Sequence, residues 1–247
     1  MKKVLLFVLL TATLAMAQDE FFEPGSSIGG YGELHWNQSW DVDGNKTGNK
    51  LDFHRFILFF NHNYTEKWSF KSELELEHNM VGGDADDPDG EGTTIGYAGE
   101  LELEQAYVNY YTGKWGFKAG VILASAGYIN ETHEPPTFLS VERPDYAKYV
   151  IPTTWFSNGF GFYGNYSGID WKVNILEDLK ASGIGDGIRD ARGKGYKTTG
   201  TSWTKNVAVD YNGMPGINVG GSMTMNNAPV DYKADGSVDN TIGVNLT

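Results

Sequence analysis

The amino-acid sequence predicts an all-β fold, an antiparallel transmembrane β-barrel. Three observations point to this fold class. Polar and apolar residues alternate with a period of two, short and long connections alternate between strands, and aromatic residues cluster near strand ends. About ten strands can be placed along the chain. We therefore expect an incomplete larger barrel, truncated at the carboxy terminus of this sequence.

Composition and charge exclude several classes of protein. The 247 residues include 19 Lys and Arg against 32 Asp and Glu, a formal net charge of −13. This charge argues against a nucleic-acid partner, because phosphates require a basic surface. The absence of Cys excludes disulfide scaffolds, thiolate zinc sites and a cysteine nucleophile. A mean hydropathy of −0.38 without a long apolar run after residue 18 excludes a helical membrane protein.

The amino terminus is typical of an export signal. Two lysines precede an apolar run over 4–14, and Ala15 and Ala17 fit the small-residue pattern of a cleavage site. We predict a signal peptide over 1–17, cleaved after Ala17, and a β-barrel domain over 18–247. The alternative, a retained anchor helix, is disfavoured because the apolar run is too short to span a bilayer.

The strands are placed by alternation. Over 68–77, Trp68, Phe70 and Leu74 share one face, whereas Lys71 and Glu73 share the other, and helical spacing would scatter both sets. The same pattern places ten strands, at 28–37, 51–64, 68–78, 100–111, 115–123, 159–166, 171–176, 205–211, 217–226 and 240–246.

The connections distinguish a membrane barrel from a soluble sandwich. Short turns are predicted at 65–67, 112–114, 167–170 and 212–216. Long loops are predicted at 38–50, 79–99, 124–158, 177–204 and 227–239. A sandwich has no reason to collect its long loops at one end, whereas an outer-membrane barrel has short periplasmic turns and long outer loops.

Pairing within hairpins assigns the two faces of the sheet. A turn at 65–67 places Arg55 opposite Glu77, which separates a charged face from an apolar face. The turn at 112–114 is predicted to place Tyr107 opposite Ala119, with Tyr107 on the apolar face. Alternation alone does not say which face is inside. The export signal, the alternating loop lengths and the aromatic residues near strand ends favour a charged lumen and a lipid-facing apolar surface.

Five blocks of sequence carry a resemblance to a known family. They are the segments 28–35, 51–56, 72–78 and 103–108, and the third loop with 128–138 and 141–144. In this order and spacing, residues 28–226 resemble the porin superfamily, specifically its phosphate-selective porin O/P-like branch. The resemblance implies a passive outer-membrane channel of about sixteen strands, often trimeric, with the third loop folded into the pore.

The sequence departs from that family in two respects. It ends on Asn245-Leu246-Thr247 rather than on an aromatic strand, and its charged face is rich in Glu where phosphate-selective members have a basic ladder. Phosphate selectivity is therefore not carried over. The expected localisation is the outer membrane of a Gram-negative-type bacterium.

The third loop is the first candidate functional element, because long ordered loops are often functional and prolines stiffen them. Within the resemblance it forms the pore constriction, with the alternative that it is a surface loop whose prolines make a turn. The candidate constriction residues are Glu131, His133, Glu134, Pro135, Pro136, Glu142 and Arg143.

The charged face is the second candidate. Acidic rings favour cations, but pairing with neighbouring basic residues would leave a neutral salt-bridge wall, and both readings stay open here. The candidate lumen-wall residues are Arg55, Lys71, Glu73, Glu75, Glu77, Glu102, Glu104 and Lys118.

Other constellations predict no chemistry. The acidic cluster over 84–91 lacks EF-hand spacing and is interpreted as a solvated loop tip. His54 is expected to face His78, on the face away from Arg55, and two histidines do not make a closed zinc site. The nucleophile-elbow motif Gly-x-Ser-x-Gly and the zinc motif His-Glu-x-x-His are absent. We therefore expect no enzyme, no cofactor and no metal site.

The sequence thus predicts an outer-membrane porin for small hydrophilic solutes or ions, with membrane lipid and those solutes as its partners. Two alternatives remain: a secreted or periplasmic β-sandwich that binds carbohydrate through its aromatics, and a membrane-anchored barrel that does not conduct.

Overall fold

The computed structural model describes residues 22–79, 81–82, 97–137, 143, 146, 150, 153–230 and 241–246. The predicted signal peptide and the acidic cluster at 84–91 lie outside these ranges and stay predictions. In the described part of the chain, no helix is both long and apolar enough to cross a membrane.

The described residues form twelve strands and a few short helices. The strands are β1 (Gly25–Trp40), β2 (Lys46–Asn63), β3 (Trp68–Glu77), β4 (Val81–Gly82), β5 (Tyr97–Ala98), β6 (Leu101–Tyr111), β7 (Trp115–Leu123), β8 (Phe156–Tyr166), β9 (Ile169–Leu176), β10 (Thr204–Met214), β11 (Ile217–Pro229) and β12 (Thr241–Leu246). Single turns of 3₁₀-helix lie at Ile129–Thr132 and Pro135–Thr137, and the β9–β10 connection holds a 3₁₀-helix at Ala181–Asp186 and a short α-helix, α1, at Ile188–Ala191.

Ten of these strands form one antiparallel sheet in the order β1-β2-β3-β6-β7-β8-β9-β10-β11-β12. Each of the ten predicted strands is present, so the all-β prediction is confirmed. β4 and β5 pair separately, within the connection from β3 to β6. A closed barrel requires its two edge strands to pair. Among the described residues β1 and β12 do not pair, so the sheet is open.

The connections follow the predicted alternation except at the first loop. Instead of a long loop at 38–50, β1 and β2 continue as one hairpin, and residues 41–45 alone connect them. The Asp41 carboxylate closes this turn by accepting the backbone N–H groups of Asp43 at 3.0 Å and Asn45 at 2.8 Å. The connections after β3, β7, β9 and β11 are long, as predicted.

The β2–β3 hairpin has the predicted register. Arg55 lies opposite Glu77 and Leu58 opposite Leu74. The two faces of β3 are correspondingly different, because Leu74 is 37% exposed whereas Glu73 retains 1%. The buried face of the sheet is therefore the charged one. A half-buried sheet in a soluble protein buries its apolar face instead.

A β-bulge changes the alternation in β2. Glu33 pairs with Arg55, but the next residue, Leu34, pairs with Phe53, so His54 is an additional residue on β2. A bulge turns successive side chains toward the same face. His54 and Arg55 consequently line the same cavity on the charged side, which corrects the expectation that His54 lies on the face away from Arg55.

A second bulge shifts β6. Glu73 pairs with Gln105 and Leu74 with Leu103, which leaves Glu104 as the additional residue. Beyond this bulge Tyr107 turns to the charged side, where the Lys118 ammonium lies 5.7 Å from its ring centroid. Tyr107 pairs with Gly120 rather than with Ala119. The predicted register of the second hairpin was therefore wrong by one residue.

The apolar core is small and lies on the charged side of the sheet. It joins the inward-facing ends of β7 and β9 to the loops that cover them and to α1. Its buried members are Ile122, Ala124, Ala126, Trp155, Leu176, Leu179, Ala181, Ala191 and Ala228. This core fixes the long connections against the charged face.

Candidate functional site

The connection between β7 and β8, the predicted third loop, folds back over the charged face. Asn206 on β10 accepts the backbone N–H of Ser125 and donates to its carbonyl, both at 3.0 Å. Asn130 donates to the carbonyls of Ala124 at 2.6 Å and Trp155 at 3.0 Å, and it accepts the Trp155 N–H at 2.8 Å. Buried amide side chains thus hold both ends of the loop.

The middle of this loop contacts strands β6 and β1, on the other side of the charged face. His133 is 2% exposed, and its Nε2 lies 3.2 Å from Oε2 of Glu104 on β6. The Tyr31 hydroxyl of β1 donates a hydrogen bond to the Glu134 carboxylate. These contacts join residues far apart in the chain, so the loop crosses the charged face from β10 to β6 and β1.

Arg55 lies among the glutamates of β1, β3 and β6 that line the charged face, Glu33, Glu75, Glu77, Glu102 and Glu104. We call these glutamates the acidic wall. Nε of Arg55 lies 2.9 Å from Oε2 of Glu33 on β1, and its Nη1 lies 3.0 Å from Oε1 of Glu75 on β3. Glu77 is more distant, at 3.9 Å from Nη2. One guanidinium therefore lies among three carboxylates and does not balance their formal charge alone.

A basic segment faces this wall from the β9–β10 connection. Lys194 makes an ion pair with Glu102, and its Nζ also lies 3.3 Å from Oε2 of Glu100. Arg189, Arg192 and Lys194 lie close together in the sequence, but no local pattern places them beside the acidic strands. The sequence analysis did not single out Tyr31 and Glu33, although both lie in the segment 28–35 that carries the family resemblance.

The guanidinium groups are held by backbone and hydroxyl oxygens. Arg192 Nη1 donates to the carbonyls of Thr153 and Thr154, each at 2.6 Å, and Arg143 Nη1 donates to the Thr153 hydroxyl at 2.8 Å. Burial lowers the pKa of Arg143, and burial together with the nearby Arg189 lowers the pKa of Arg192 to about 10. Both groups remain cationic at neutral pH.

The acidic wall and the basic segment enclose a cavity of about 740 Å³. Among its described lining residues, seven are acidic and five are Lys or Arg, so the cavity is mixed in charge with an acidic excess. They are Glu33, Glu75, Glu77, Glu100, Glu102, Glu104 and Asp190 on the acidic side, and Arg55, Arg143, Arg189, Arg192 and Lys194 on the basic side.

The structure brings together most, but not all, of the predicted site residues. Of the loop residues, His133 and Glu134 contact the wall as described above, Arg143 lines the cavity, and Pro135 and Pro136 begin a 3₁₀ turn. Glu131 is held elsewhere, by an ion pair in which its Oε2 lies 2.5 Å from Nζ of Lys172 on β9. Glu142 lies outside the described residues.

The predicted wall residues divide into two groups. Arg55, Glu75, Glu77, Glu102 and Glu104 line the cavity. Glu73 is buried beside it, with its Oε2 2.5 Å from the Gln105 amide nitrogen. Lys71 lines a different cavity near the short turns, and Lys118 lies over Tyr107. The two lysines therefore do not neutralise the acidic cluster, which is paired with Arg55 and the basic segment instead.

Among the residues that the structure describes, three groups of side chains have the spacing of metal ligands. In each group, one nitrogen or oxygen atom per residue lies within 4.8 Å of the others. The groups are Asp52 with His54 and His78, Glu104 with His133 and Glu134, and Glu75 with Glu102 and Glu104. The side chains of the second and third groups already make the ion pairs and hydrogen bonds described above.

Comparison with known proteins gives one similar sequence. No protein-family model matches the chain. An uncharacterized protein of Aquifex aeolicus (strain VF5) is 40% identical over 158 residues, which cover 64% of this chain and 33% of that protein. The match thus spans about a third of the relative's length, and the relative's name gives no function.

Proposed function

We propose that this protein is an outer-membrane porin through which small hydrophilic solutes or ions diffuse passively. The observation that carries the proposal is the two-sidedness of the sheet: its charged face is covered by the chain's own loops, whereas its apolar face is exposed. A soluble sheet buries its apolar face. The observed polarity suits a sheet with lipid outside and a wet lumen inside.

The apolar face extends across the whole sheet. Leu34 on β1, Leu101 on β6 and Val219 on β11 are 63%, 58% and 65% exposed. Exposed apolar patches of this extent are typical of surfaces that contact membrane or another protein. Near the short turns the exposed side chains become aromatic, as at a membrane interface: Tyr64, Trp68, Trp115, Tyr166 and Tyr211.

The proposed mechanism is restricted diffusion. The third loop narrows the lumen by crossing from Asn206 to Glu104, and the remaining space is the mixed-charge cavity. Opposite charges on facing walls orient solutes electrostatically, and the acidic excess favours cations over anions. No bond is made or broken in this proposal, so no catalytic group or cofactor is required.

The proposal requires closure of the sheet. The open edges at β1 and β12 expose backbone N–H and C=O groups, which cannot face hydrocarbon unpaired. We infer that strands additional to the ten described here complete the barrel. The trimeric state common in the porin family is an expectation of the resemblance.

Two alternatives make different physical demands. A carbohydrate-binding sandwich needs a second layer over the apolar face, and in the described residues that face is exposed. A non-conducting membrane anchor fits the outer face equally well, but it does not require a polar cavity behind the loop. Conductance therefore separates the porin from the anchor, and detergent dependence separates both from the sandwich.

The test is to refold the full-length gene product into planar bilayers and to record single-channel currents in a salt gradient. We expect discrete conductance steps with a reversal potential that indicates cation preference. Insertion without conductance would replace the porin with the anchor. A protein that stays soluble and monomeric without detergent would overturn the membrane proposal altogether.

A further inference from the structure

Asp52, His54 and His78 converge where β1, β2 and β3 meet beside the cavity. Nδ1 of His78 lies 2.9 Å from Oδ2 and 3.1 Å from Oδ1 of Asp52, and Nδ1 of His54 lies 3.4 Å from Oδ2. Two ligand atoms on a tetrahedral zinc ion lie roughly 3.3 Å apart, because each is about 2.0–2.1 Å from the metal. The three side chains therefore need only small movements to share one ion.

The backbone of β2 and of the residue after β3 brings these ligands close together. The bulge makes His54 the additional residue on β2 and turns it toward the charged side with Asp52. His78 follows directly after β3, where its N–H donates to the His54 carbonyl at 3.0 Å. Its φ of +52° is a conformation that histidine adopts more readily than most residues. The sequence showed the two histidines, but it did not show that the bulge turns His54 to the face that carries Asp52.

The cluster is open to solvent yet partly buried. The side chains of Asp52, His54 and His78 are 13%, 26% and 33% exposed, and both histidines line the cavity. His35 stacks on His54, with ring centroids 4.4 Å apart and planes 9° apart. This stacking restrains the orientation of the His54 ring, and restrained ligands lose less entropy on binding.

Lys50 is the group that competes with a cation for Asp52. Its Nζ lies 3.1 Å from Oδ2, but the side chain is 65% exposed. An exposed lysine pair is weak, so the ammonium can return to solvent when a divalent ion binds. Glu33 and Glu77, which also line the cavity, contribute negative charge nearby and attract cations.

We propose that Asp52, His54 and His78 form a binding site for a divalent transition-metal ion of the zinc class. Two imidazoles and one carboxylate suit Zn²⁺, Ni²⁺ or Cu²⁺, whereas Ca²⁺ and Mg²⁺ prefer oxygen ligands alone. Three protein ligands leave a coordination position for water. The site rests on the geometry of these three strands and does not depend on whether the protein conducts.

The test is calorimetric titration of ZnCl₂ into the EDTA-treated full-length protein in detergent micelles, with MgCl₂ as the comparison ion. We expect one saturable zinc site and no comparable magnesium site. His54→Ala and His78→Ala should each weaken zinc binding at least about tenfold. Lys50→Gln should strengthen it, because the competing ammonium is removed.

Two histidine variants serve as controls. His62 lies outside the cluster, with Nδ1 2.7 Å from the Ser26 hydroxyl, and His62→Ala should bind zinc like the unmodified protein. His133→Ala tests the other histidine-containing group. Loss of zinc binding in His133→Ala but not in His78→Ala would overturn the proposal, as would the absence of saturable zinc binding. Histidine NMR resonances give a second readout: zinc should shift those of His54 and His78 and leave that of His62 in place.

Discussion

At the scale of single residues, Arg55 determines whether the acidic wall can exist. Its guanidinium lies within 3.0 Å of both Glu33 and Glu75, and its side chain is 11% exposed. Removing one partner from a buried ion pair leaves an uncompensated charge, which costs about 3–5 kcal/mol. We expect Arg55→Met to lower the free energy of unfolding by this amount, measured by denaturant titration of tryptophan fluorescence in detergent.

The control for Arg55 is the exposed pair made by Lys50 with Asp52. Lys50→Met should change stability by less than about 1 kcal/mol, because exposed ion pairs contribute little. A double variant, Arg55→Met with Glu75→Gln, should recover part of the loss by neutralising one orphaned carboxylate. Equal stabilities for Arg55→Met and Lys50→Met would show that water screens the wall and that Arg55 is not its organiser.

Asn206 has a comparable role for the loop. It is fully buried and satisfies both backbone groups of Ser125. Leaving a buried donor or acceptor unsatisfied costs about 1–3 kcal/mol. We expect Asn206→Ala to destabilise the protein by this amount and to increase open-channel noise in bilayer recordings as the loop loosens. Asn212→Ala, at the exposed end of β10, is the control, and similar noise in both variants would exclude this anchoring role.

At the scale of elements, the two faces of β3 make opposite predictions. Leu74→Arg places a charge on the apolar face, where the cost is roughly 2–4 kcal/mol near the bilayer midplane. We expect poor insertion into liposomes, measured by flotation and heat-modifiable migration. Lys71→Glu, which reverses a charge on the other face of the same strand, should insert normally. The opposite result would show that the lipid-facing side has been assigned to the wrong face.

The elements also show where sequence reasoning succeeds and where it ends. The β2–β3 register was predicted correctly because a short turn and strict alternation leave one pairing that separates the charges. The β6–β7 register was wrong by one residue because Tyr111 pairs with Gly116, so the turn is one residue longer than the predicted 112–114. The bulge at Glu104 separately shifts the β3–β6 pairing, and no local pattern marks it. A bulge is visible only once both partner strands are known.

At the scale of the whole molecule, the site depends on contacts that periodicity does not encode. Glu134 was predicted to narrow the lumen, but its partner Tyr31 lies 103 positions away. Lys71 and Lys118 were expected beside the glutamates of the charged face. The sheet places both lysines elsewhere, and Lys194 of the β9–β10 connection pairs with Glu102 instead. Only the three-dimensional path of the long loops decides which cations meet which carboxylates.

The net charge of the cavity leads to the final prediction, on ion selectivity. Lys194→Gln removes a cation from a lining that already has an acidic excess, so we expect a higher cation-to-anion permeability ratio. Glu77→Gln removes an anion from the same lining and should lower that ratio. The expected change is roughly twofold in each direction, because solvent-exposed charges are screened beyond about 8 Å at physiological salt. Reversal potentials under a salt gradient measure both variants.

Raising the salt concentration provides the internal control for this pair. The screening length falls to about 3 Å at 1 M, so both variants should then approach the unmodified protein. Selectivity differences that persist at 1 M salt would indicate a change in the shape of the constriction rather than in its charge. Shifts of the same sign in Lys194→Gln and Glu77→Gln would contradict the assignment of this cavity as the selective part of the pore, because two opposite charge changes in one lumen must act in opposite directions.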